Sequence, residues 1–362
     1  MPTDASPALP QGLLRMGEDA AATIYLRPLG APGGFQKYEV LIRRPAGGVL
    51  ALCCARDEVL GWARAEGRVL ADHVSTLIER LSAPRPPFAG LSLDRPLIMG
   101  IINVTPDSFS DGGETPDTDS AVTRGRAMAD SGADILDVGG ESTRPGSRPV
   151  SVADELARVV PVVRALAMAG HVVTIDSRRA RVMEAALDVG ATTVNDVTAL
   201  CGEAESLDVV AGRGVSVILM HMQGAPQTMQ DAPRYDHASL DIYDALGRRV
   251  DACLAAGIPR ADIAIDPGIG FGKTVAHNAE ILGRLSLFQG HGCAVALGVS
   301  RKSFIAALAR GEPVTERVPG SLAAVLHAVT QGVHIVRVHD VAETRQALDV
   351  WRAIDMAGSS CE

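Results

Sequence analysis

Charged and amide side chains recur along the chain at points where short apolar runs end. They are Asn103, Asp137, Asp176, Asn195, Asp266, Lys302, Arg337 and His339. Carboxylates and amides accept hydrogen bonds from the N–H groups of a polar ligand, whereas lysine, arginine and histidine stabilise negative charge. Any single one of these residues could instead cap a helix or satisfy a turn. Their repetition at nearly every apolar run favours one shared binding or catalytic site.

Three loops that follow such runs have the composition of ligand-binding loops. Residues 105–113 combine a proline and two glycines with hydroxyl and carboxylate oxygens. Residues 139–147 carry glycines, hydroxyls and Arg144, which suits the binding of an oxyanion or a phosphate. Residues 266–273 place Phe271 among glycines and a proline. A simple connecting loop would explain these glycines, but it would not explain why the aromatic residue Phe271 lies in a polar segment.

The elements that would position these loops alternate between strands and helices. Eight apolar, β-branched runs predict strands at 97–104, 133–140, 172–177, 192–198, 216–221, 262–268, 294–300 and 334–339. Amphipathic stretches between them predict helices, among them 152–169, 178–189, 235–256, 276–288 and 322–331. This alternation predicts an α/β fold, a (β/α)8 TIM barrel, whose active site lies at the C-terminal ends of the strands.

The first 90 residues are less regular. Short strands are predicted at 24–27, 38–43 and 49–54, and a helix is predicted over 67–81. Pro84, Pro86 and Pro87 indicate a stiff linker. We therefore expect a small N-terminal α+β appendage of unknown role at residues 1–90 and the barrel at residues 91–362.

The composition argues against several classes of protein. With 362 residues, 47% of them hydrophobic, the chain is long enough to bury a large core. The net charge is −9 and no long run of Lys or Arg is present, which argues against a nucleic-acid partner. No apolar run approaches the roughly 20 residues that span a bilayer, and no secretory leader is recognisable. The six cysteines have neither C-x-x-C nor zinc-ligand spacing. We expect a soluble, cytoplasmic protein with no membrane partner.

From about Pro96 to Leu348 the chain resembles the dihydropteroate synthase family. The matching segments, in the family's order, are NVTPDSFSDGG, DVGGESTRPGS, TIDSRR, VNDV, MHMQGAPQTMQ, DPGIGFGKT, GVSRKSFI and RVHDV. In folate biosynthesis this family joins 6-hydroxymethyl-7,8-dihydropterin diphosphate to para-aminobenzoate, giving 7,8-dihydropteroate and pyrophosphate with Mg²⁺ present. The resemblance implies these substrates, Mg²⁺ and a homodimer for this chain, and binding of sulfonamides, which mimic para-aminobenzoate. The appendage lies outside the resemblance, so its role is not inherited.

The resemblance also implies roles for individual residues. The pterin contacts are Asp137, Asp176, Asn195, Met220, Asp266, Lys302 and Arg337. The para-aminobenzoate contacts are Thr143, Pro145, Phe271 and Ser303. The catalytic positions are Asn103, Arg144, Lys302 and His339; Asn103 would bind Mg²⁺, and Arg144 and His339 would stabilise the departing pyrophosphate. Closure of the loops over the site is assigned to Asp107, Phe109 and Asp111.

The chemistry of Asp266, Lys302 and Arg337 is compatible with the implied pterin site. An ionised, unpaired Asp266 at the end of a buried strand would cost several kcal/mol, and the N–H groups of a pterin would supply its missing donors. Lys302 could instead neutralise Asp266 permanently. Because an arylamine is a weak nucleophile, we do not expect a strong general base. The resemblance implies a dissociative reaction, in which C–O cleavage gives a delocalised pterin cation and the amine then adds. Arg337 is expected to lie against the face of the pterin ring.

Three other functions stay open from the sequence. A pterin-dependent methyltransferase of the same barrel superfamily would share the Asp and Asn contacts to the pterin, but it would not need the SRKSFI segment. A barrel aldolase would use Lys302 as a Schiff-base nucleophile. A catalytically silent paralogue would bind pterin or act as a scaffold through its appendage.

Overall fold

The fold is known for most of the chain. The structure is a computed structural model that describes residues 9–12, 24–30, 35–44, 47–105, 118–142, 147 and 149–359. Within these residues no helix combines the length and the apolar character that a membrane crossing requires.

The described part of the appendage is a three-stranded sheet covered by two helices. The strands are β1 Ile24–Leu29, β2 Lys37–Arg43 and β3 Val49–Ala55, paired antiparallel in the order β1-β2-β3. The helices are α1 Arg56–Glu66 and α2 Arg68–Ser82. Leu70, Val74 and Leu77 recur at helical spacing along α2, so one face of this helix is buried against the sheet. The predicted α+β appendage is thus confirmed, and α1 is an additional helix that we did not predict.

The remaining strands form a closed parallel barrel, which confirms the predicted (β/α)8 architecture. The strands are β4 Leu97–Asn103, β5 Ile135–Gly139, β6 Val173–Asp176, β7 Thr193–Asp196, β8 Ser216–Met220, β9 Ile263–Asp266, β10 Ala294–Gly298 and β11 Ile335–Val338. Each strand pairs in parallel with the next along the chain, and β11 lies between β10 and β4 and so completes the ring. All the carboxyl ends therefore face one mouth.

Helices surround the barrel. They are α3 Thr118–Asp130, α4 Val152–Met168, α5 Ala180–Asp188, α6 Ser206–Arg213, α7 Ala238–Ala255, α8 Val275–Leu282, α9 Ser303–Leu308, α10 Val318–Thr330 and α11 Val341–Ser359. Ser151 caps α4 because its side chain accepts a hydrogen bond from the Asp154 N–H at 3.1 Å. Alternate strand residues face opposite ways, so Ile98 and Ile102 pack with the helices, whereas Leu97 and Met99 fill the barrel interior.

One predicted helix is wrong. The expected helix at 276–288 is α8 followed, after Gly283 and Arg284, by a 3-10 turn at Leu285–His291. Every residue of this turn is buried. Leu287 packs with Tyr25 and Leu41 of the appendage, so the turn is covered on a side that a surface helix would expose. The turn is apolar throughout because it makes this second contact. Periodicity alone could not distinguish such a buried turn from a continuation of the helix.

The end of the barrel opposite the mouth is closed by the segment that follows the linker. Phe88 is fully buried and pairs with Leu91 in a short bridge. It packs with interior side chains of the strands, among them Met99 and Ile135. Phe88 therefore acts as an apolar plug at the lower end of the barrel.

Candidate functional site

The described site residues lie at or near the carboxyl ends of the barrel strands, as predicted. Asn103, Asp176, Met220 and Asp266 are the last residues of β4, β6, β8 and β9. Asp137, Asn195 and Arg337 lie inside β5, β7 and β11, and Lys302, Ser303 and His339 follow β10 and β11. Asp107, Phe109, Asp111, Thr143, Arg144 and Pro145 lie outside the described residues.

Arg337 links two carboxylates across the mouth. Its Nε donates to Oδ2 of Asp137 at 2.5 Å, and its Nη2 donates to Oδ2 of Asp176 at 2.6 Å. The Nδ2 of Asn195 donates to the same Asp137 oxygen at 3.2 Å. The other oxygen of Asp137 is buried and has no hydrogen-bond partner in the described part of the chain. Because guanidinium N–H groups lie in the plane of the group, these bonds fix Arg337 at its edge and leave its flat faces available for stacking.

Two buried carboxyl groups of the site have raised pKa values. Burial raises the pKa of Asp176 to about 7; Arg337 opposes this shift and Asp137 adds to it. Burial also raises the pKa of Asp266, although Lys302 opposes that shift, and Oδ1 of Asp266 accepts the Gly268 N–H at 2.7 Å. Carboxyl groups with raised pKa values at a strand terminus are candidates for binding N–H donors of a ligand.

Lys302 does not neutralise Asp266 through a direct ion pair. Its ammonium donates to the carbonyl oxygen of Ile269, and its Nζ lies 4.7 Å from the ring centroid of Phe271. Burial lowers the pKa of Lys302 to about 8; Asp266 opposes this shift and Arg337 adds to it. The permanent Asp266–Lys302 pair considered from the sequence is therefore not formed, and the carboxylate keeps capacity for a ligand.

His339 is neutral at physiological pH. Burial, together with the positive charge of Arg337 and Arg301, lowers its pKa to about 3. Its Nδ1 lies 3.0 Å from Oγ of Ser300, which also accepts the backbone N–H of His339 at 3.2 Å. We infer that the Ser300 hydroxyl donates to Nδ1, so that the ring proton resides on Nε2. In this form the imidazole can donate one hydrogen bond to an anion.

Asn103 is the candidate for a metal ligand at the mouth. Its side chain is half-buried, and no group of three His, Cys, Asp or Glu side chains in the described residues could hold an ion by itself. Mg²⁺ commonly keeps several waters and takes one or two protein ligands together with substrate phosphates. A single amide oxygen therefore fits an ion that is held mainly by a diphosphate, and it does not fit a resident metal centre.

A buried lysine beside the site has no role in the sequence prediction. The ammonium of Lys273 donates to the carbonyl of Phe271 at 2.9 Å and lies 3.1 Å from Nδ1 of His221. It has no ion-pair partner in the described part of the chain, and burial lowers its pKa to about 7. Lys273 thus holds the backbone of the 267–273 loop at Phe271. The only sequence signal was its position inside the DPGIGFGKT segment.

The 267–273 loop lies directly against the loop that follows β8. Gly268 and Gly272 have φ values of 69° and 65°. A Cβ on Gly268 would collide with the carbonyl oxygen of His221, and one on Gly272 would collide with that of Gln223. Only glycine permits both this backbone conformation and this close approach. The glycines of this loop therefore do more than connect two elements. They permit the close packing that positions Phe271.

Comparisons with known proteins identify the family of this chain. The family model described as "Pterin binding enzyme" matches residues 99–339. Dihydropteroate synthase of Escherichia coli is 45% identical over 264 residues, which cover 73% of this chain and 93% of that protein. A solved Xanthomonas albilineans dihydropteroate synthase with 4-aminobenzoic acid superposes with a TM-score of 0.70 and 46% identity over 74% of this chain and 96% of that chain. The same organism's enzyme in complex with 7,8-dihydropteroate gives a TM-score of 0.67 and 43% identity over 73% and 95%. The chain therefore belongs to the dihydropteroate synthase family of pterin-binding enzymes.

Proposed function

We propose that this chain condenses 6-hydroxymethyl-7,8-dihydropterin diphosphate with para-aminobenzoate to give 7,8-dihydropteroate and pyrophosphate. The observation that carries the proposal is the Arg337 guanidinium held between Asp137 and Asp176 at the mouth of a barrel with these relatives. Beside it lies Asp266, whose carboxylate has no direct ion pair with Lys302. This set of buried acceptors and donors matches a flat ligand with N–H groups on one edge and a carbonyl oxygen on the other.

The pterin would be bound by the polar side chains of the mouth. Asp266, Asp176 and Asn195 would pair with its ring and amino N–H groups, and Lys302 would donate to its carbonyl oxygen. Asp137 would act mainly by holding Arg337 and Asn195 in place, and Met220 would pack at the floor. Arg337, fixed at its edge, would stack on the ring face. Several convergent hydrogen bonds of this kind discriminate strongly against analogues that lack one of them.

The diphosphate would face Asn103, Arg144 and His339. Neutral His339 would donate its Nε2–H to a phosphate oxygen, and negative charge that develops there would strengthen this hydrogen bond. Mg²⁺, when bound through Asn103, waters and substrate oxygens, supplies positive charge to the leaving group. Arg144 would add a bidentate cation, although it lies outside the described residues.

Para-aminobenzoate would enter beside Phe271, with Thr143, Pro145 and Ser303 as its other contacts. The C–O bond to the diphosphate breaks, the amine nitrogen bonds to the pterin methylene carbon, and the amine loses one proton to solvent or pyrophosphate. Positioning and electrostatic stabilisation would carry this reaction, since it needs no strong general base. The residues Asp107, Phe109 and Asp111 would contribute when their loop closes.

The direct test supplies the purified chain with both substrates and Mg²⁺ and follows dihydropteroate by chromatography. We expect formation of the product and one pyrophosphate per turnover. A chain that binds the pterin in calorimetry but forms no dihydropteroate would be a silent paralogue, and the proposal would be wrong.

We also propose a division into an appendage at residues 1–90 and a barrel at residues 91–362. Phe88 packs with side chains of the barrel interior, so the last residues of the appendage range contribute to the barrel core. A cytoplasmic location is proposed because the exposed thiols of Cys53 and Cys201 suit a reducing compartment.

A homodimer is proposed through α11. Val350 and Ile354 lie one turn apart on this helix and are 55% and 68% exposed, which makes an apolar stripe suited to a second copy. Light scattering of the Ile354→Lys variant tests this proposal, since loss of the dimer is expected and an unchanged mass would contradict it.

A further inference from the structure

We propose that the N-terminal appendage positions Phe271 in the active site, and that Arg43 is the residue through which it does so. The inference rests on the proposed function only in taking Phe271 as a wall of the para-aminobenzoate site. Arg43 lies on β2, outside the 99–339 segment that the family model matches. It is a positioning residue and touches no substrate.

The first step is a contact between the appendage and the start of α7. Nη1 of Arg43 lies 2.8 Å from Oδ1 of Asp241, and its Nη2 lies 3.3 Å from Oδ2 of Asp244. The side chains of Arg43 and Asp241 are only 28% and 25% exposed, so solvent screens their pair less than a surface ion pair. The hydroxyl of Tyr25 donates to the same Asp244 oxygen at 2.9 Å, and the Arg43 guanidinium lies 5.9 Å from the centroid of the Tyr25 ring.

The second step is that Asp241 holds the end of the loop between β8 and α7. Its Oδ1 faces Arg43, whereas its Oδ2 accepts the backbone N–H groups of Asp236 and His237 at 2.9 and 3.2 Å. The carboxylate thus bridges the appendage and the loop. Loss of Arg43 would free Asp241 to change rotamer and would loosen these two hydrogen bonds.

The third step connects this loop to Phe271 from both sides. The hydroxyl of Tyr235 donates to the carbonyl of Gly272 at 2.9 Å, and Nε2 of Gln230 donates to that of Gly270 at 2.5 Å. Phe271 lies between these two anchored residues, with its ring against Lys302. A continuous series of contacts therefore runs from Arg43 to a wall of the site.

The barrel also holds this loop by itself, which limits the expected effect. His237 contacts Glu280 at 2.9 Å, and the Ser239 N–H donates to Glu280 at 2.9 Å. The appendage would therefore tune the position of Phe271 and would not create it. A coupling of this kind is typically worth about fivefold or more in affinity.

The test is the Arg43→Met variant of the full chain, which keeps the aliphatic stem and removes the guanidinium. We expect KM for para-aminobenzoate to rise about fivefold with kcat nearly unchanged. We also expect faster hydrogen exchange at the amides of Asp236 and His237. Glu39→Gln is the matched control, because it removes a charge that faces Arg284 at 3.7 Å across the same interface and contacts neither Arg43 nor Asp241. It should change neither quantity. Arg43→Lys should restore part of the wild-type KM.

Two results would overturn the proposal. One is a wild-type KM and wild-type exchange in Arg43→Met; the other is an equal rise of KM in Glu39→Gln, which would show a general effect of the interface. Should Arg43→Met not fold, Arg43→Gln is judged by the same criteria. Hydrogen exchange needs no turnover, so the proposal can be judged even if the wild-type chain makes no dihydropteroate.

Discussion

The same strands form both ends of the barrel. At one end their side chains pack in an apolar cluster, and at the other they leave polar atoms without partners in the described part of the chain. At the lower end, Ile135 of β5 packs against Phe88 in an apolar cluster that needs no ligand. Two residues further along β5, Asp137 is fully buried and one of its oxygens has no partner in the described part of the chain. The lower end stabilises the fold, whereas the mouth retains unsatisfied polar capacity that a ligand can use.

Two aspartates show the same contrast in their electrostatics. Burial alone would raise the pKa of Asp134, which precedes β5 at the lower end, but Arg95, Arg345 and the Ile98 N–H hold it below the ordinary value. Asp176 at the mouth shares a single guanidinium with Asp137, and burial raises its pKa to about 7. At neutral pH, ionised Asp134 therefore stabilises the folded chain, whereas ionised Asp176 destabilises it.

The largest effect is expected from the plug at the lower end. Phe88→Ala should lower the free energy of unfolding by about 3–5 kcal/mol, since it empties a fully buried aromatic site. Urea denaturation measures this loss. Calorimetry on the folded variant should give the wild-type affinity for pterin, and a large loss of affinity would show that the two ends are not independent.

The next largest effect is expected from Lys302→Ala at the mouth. We expect pterin affinity to fall roughly 100-fold, about 2.7 kcal/mol, because a buried ammonium opposite the ligand is lost. The melting temperature should change little, since Lys302 donates to a carbonyl oxygen and has no ion pair in the described part of the chain. Undiminished pterin binding in calorimetry would contradict the assigned role.

The smallest effect is a dependence of stability on pH. The folded-state pKa of Asp176 lies above its unfolded value, so its contribution to stability is full below about pH 4 and is lost as the pH rises through 7. Asn cannot ionise, so Asp176→Asn should gain about 1–3 kcal/mol relative to wild type between pH 5 and pH 8. Denaturation at both pH values measures it.

Asp134→Asn should show the opposite dependence of stability on pH. Its lowered pKa gives stability that is present above the unfolded value and lost in acid. This variant should therefore be less stable than wild type at pH 8 and should approach it only as the pH falls well below 4. Parallel behaviour of the two variants would remove the contrast between the ends.

The sequence predicted the barrel because each strand and helix carries its own local period, and polar residues at the strand ends marked the mouth. It could not predict which partners these residues take. Arg337 joins Asp137 and Asp176 over 200 and 161 residues of chain. Periodicity contains no information on such pairs, and it could not exclude the competing Asp266–Lys302 pair.

The contact between the appendage and the barrel could not be predicted either, because it also joins residues that are far apart in the chain. The hydrogen bond from Tyr25 to Asp244 spans 219 residues, and burial of the 285–291 turn depends on a surface contributed from far upstream. Lys273 was missed because a lysine between a glycine and a threonine resembles a solvated turn residue. Only its position in the fold showed that it is 3% exposed.

The placement of β11 has a consequence for synthesis of the chain. This strand closes the ring between β10 and β4, and it also carries the guanidinium on which two acidic side chains depend. A nascent chain that has not reached residue 335 therefore exposes two open sheet edges and an uncompensated pair of carboxylates. Unpaired strand edges favour aggregation, so a chain truncated before residue 335 should aggregate more readily than the full-length protein.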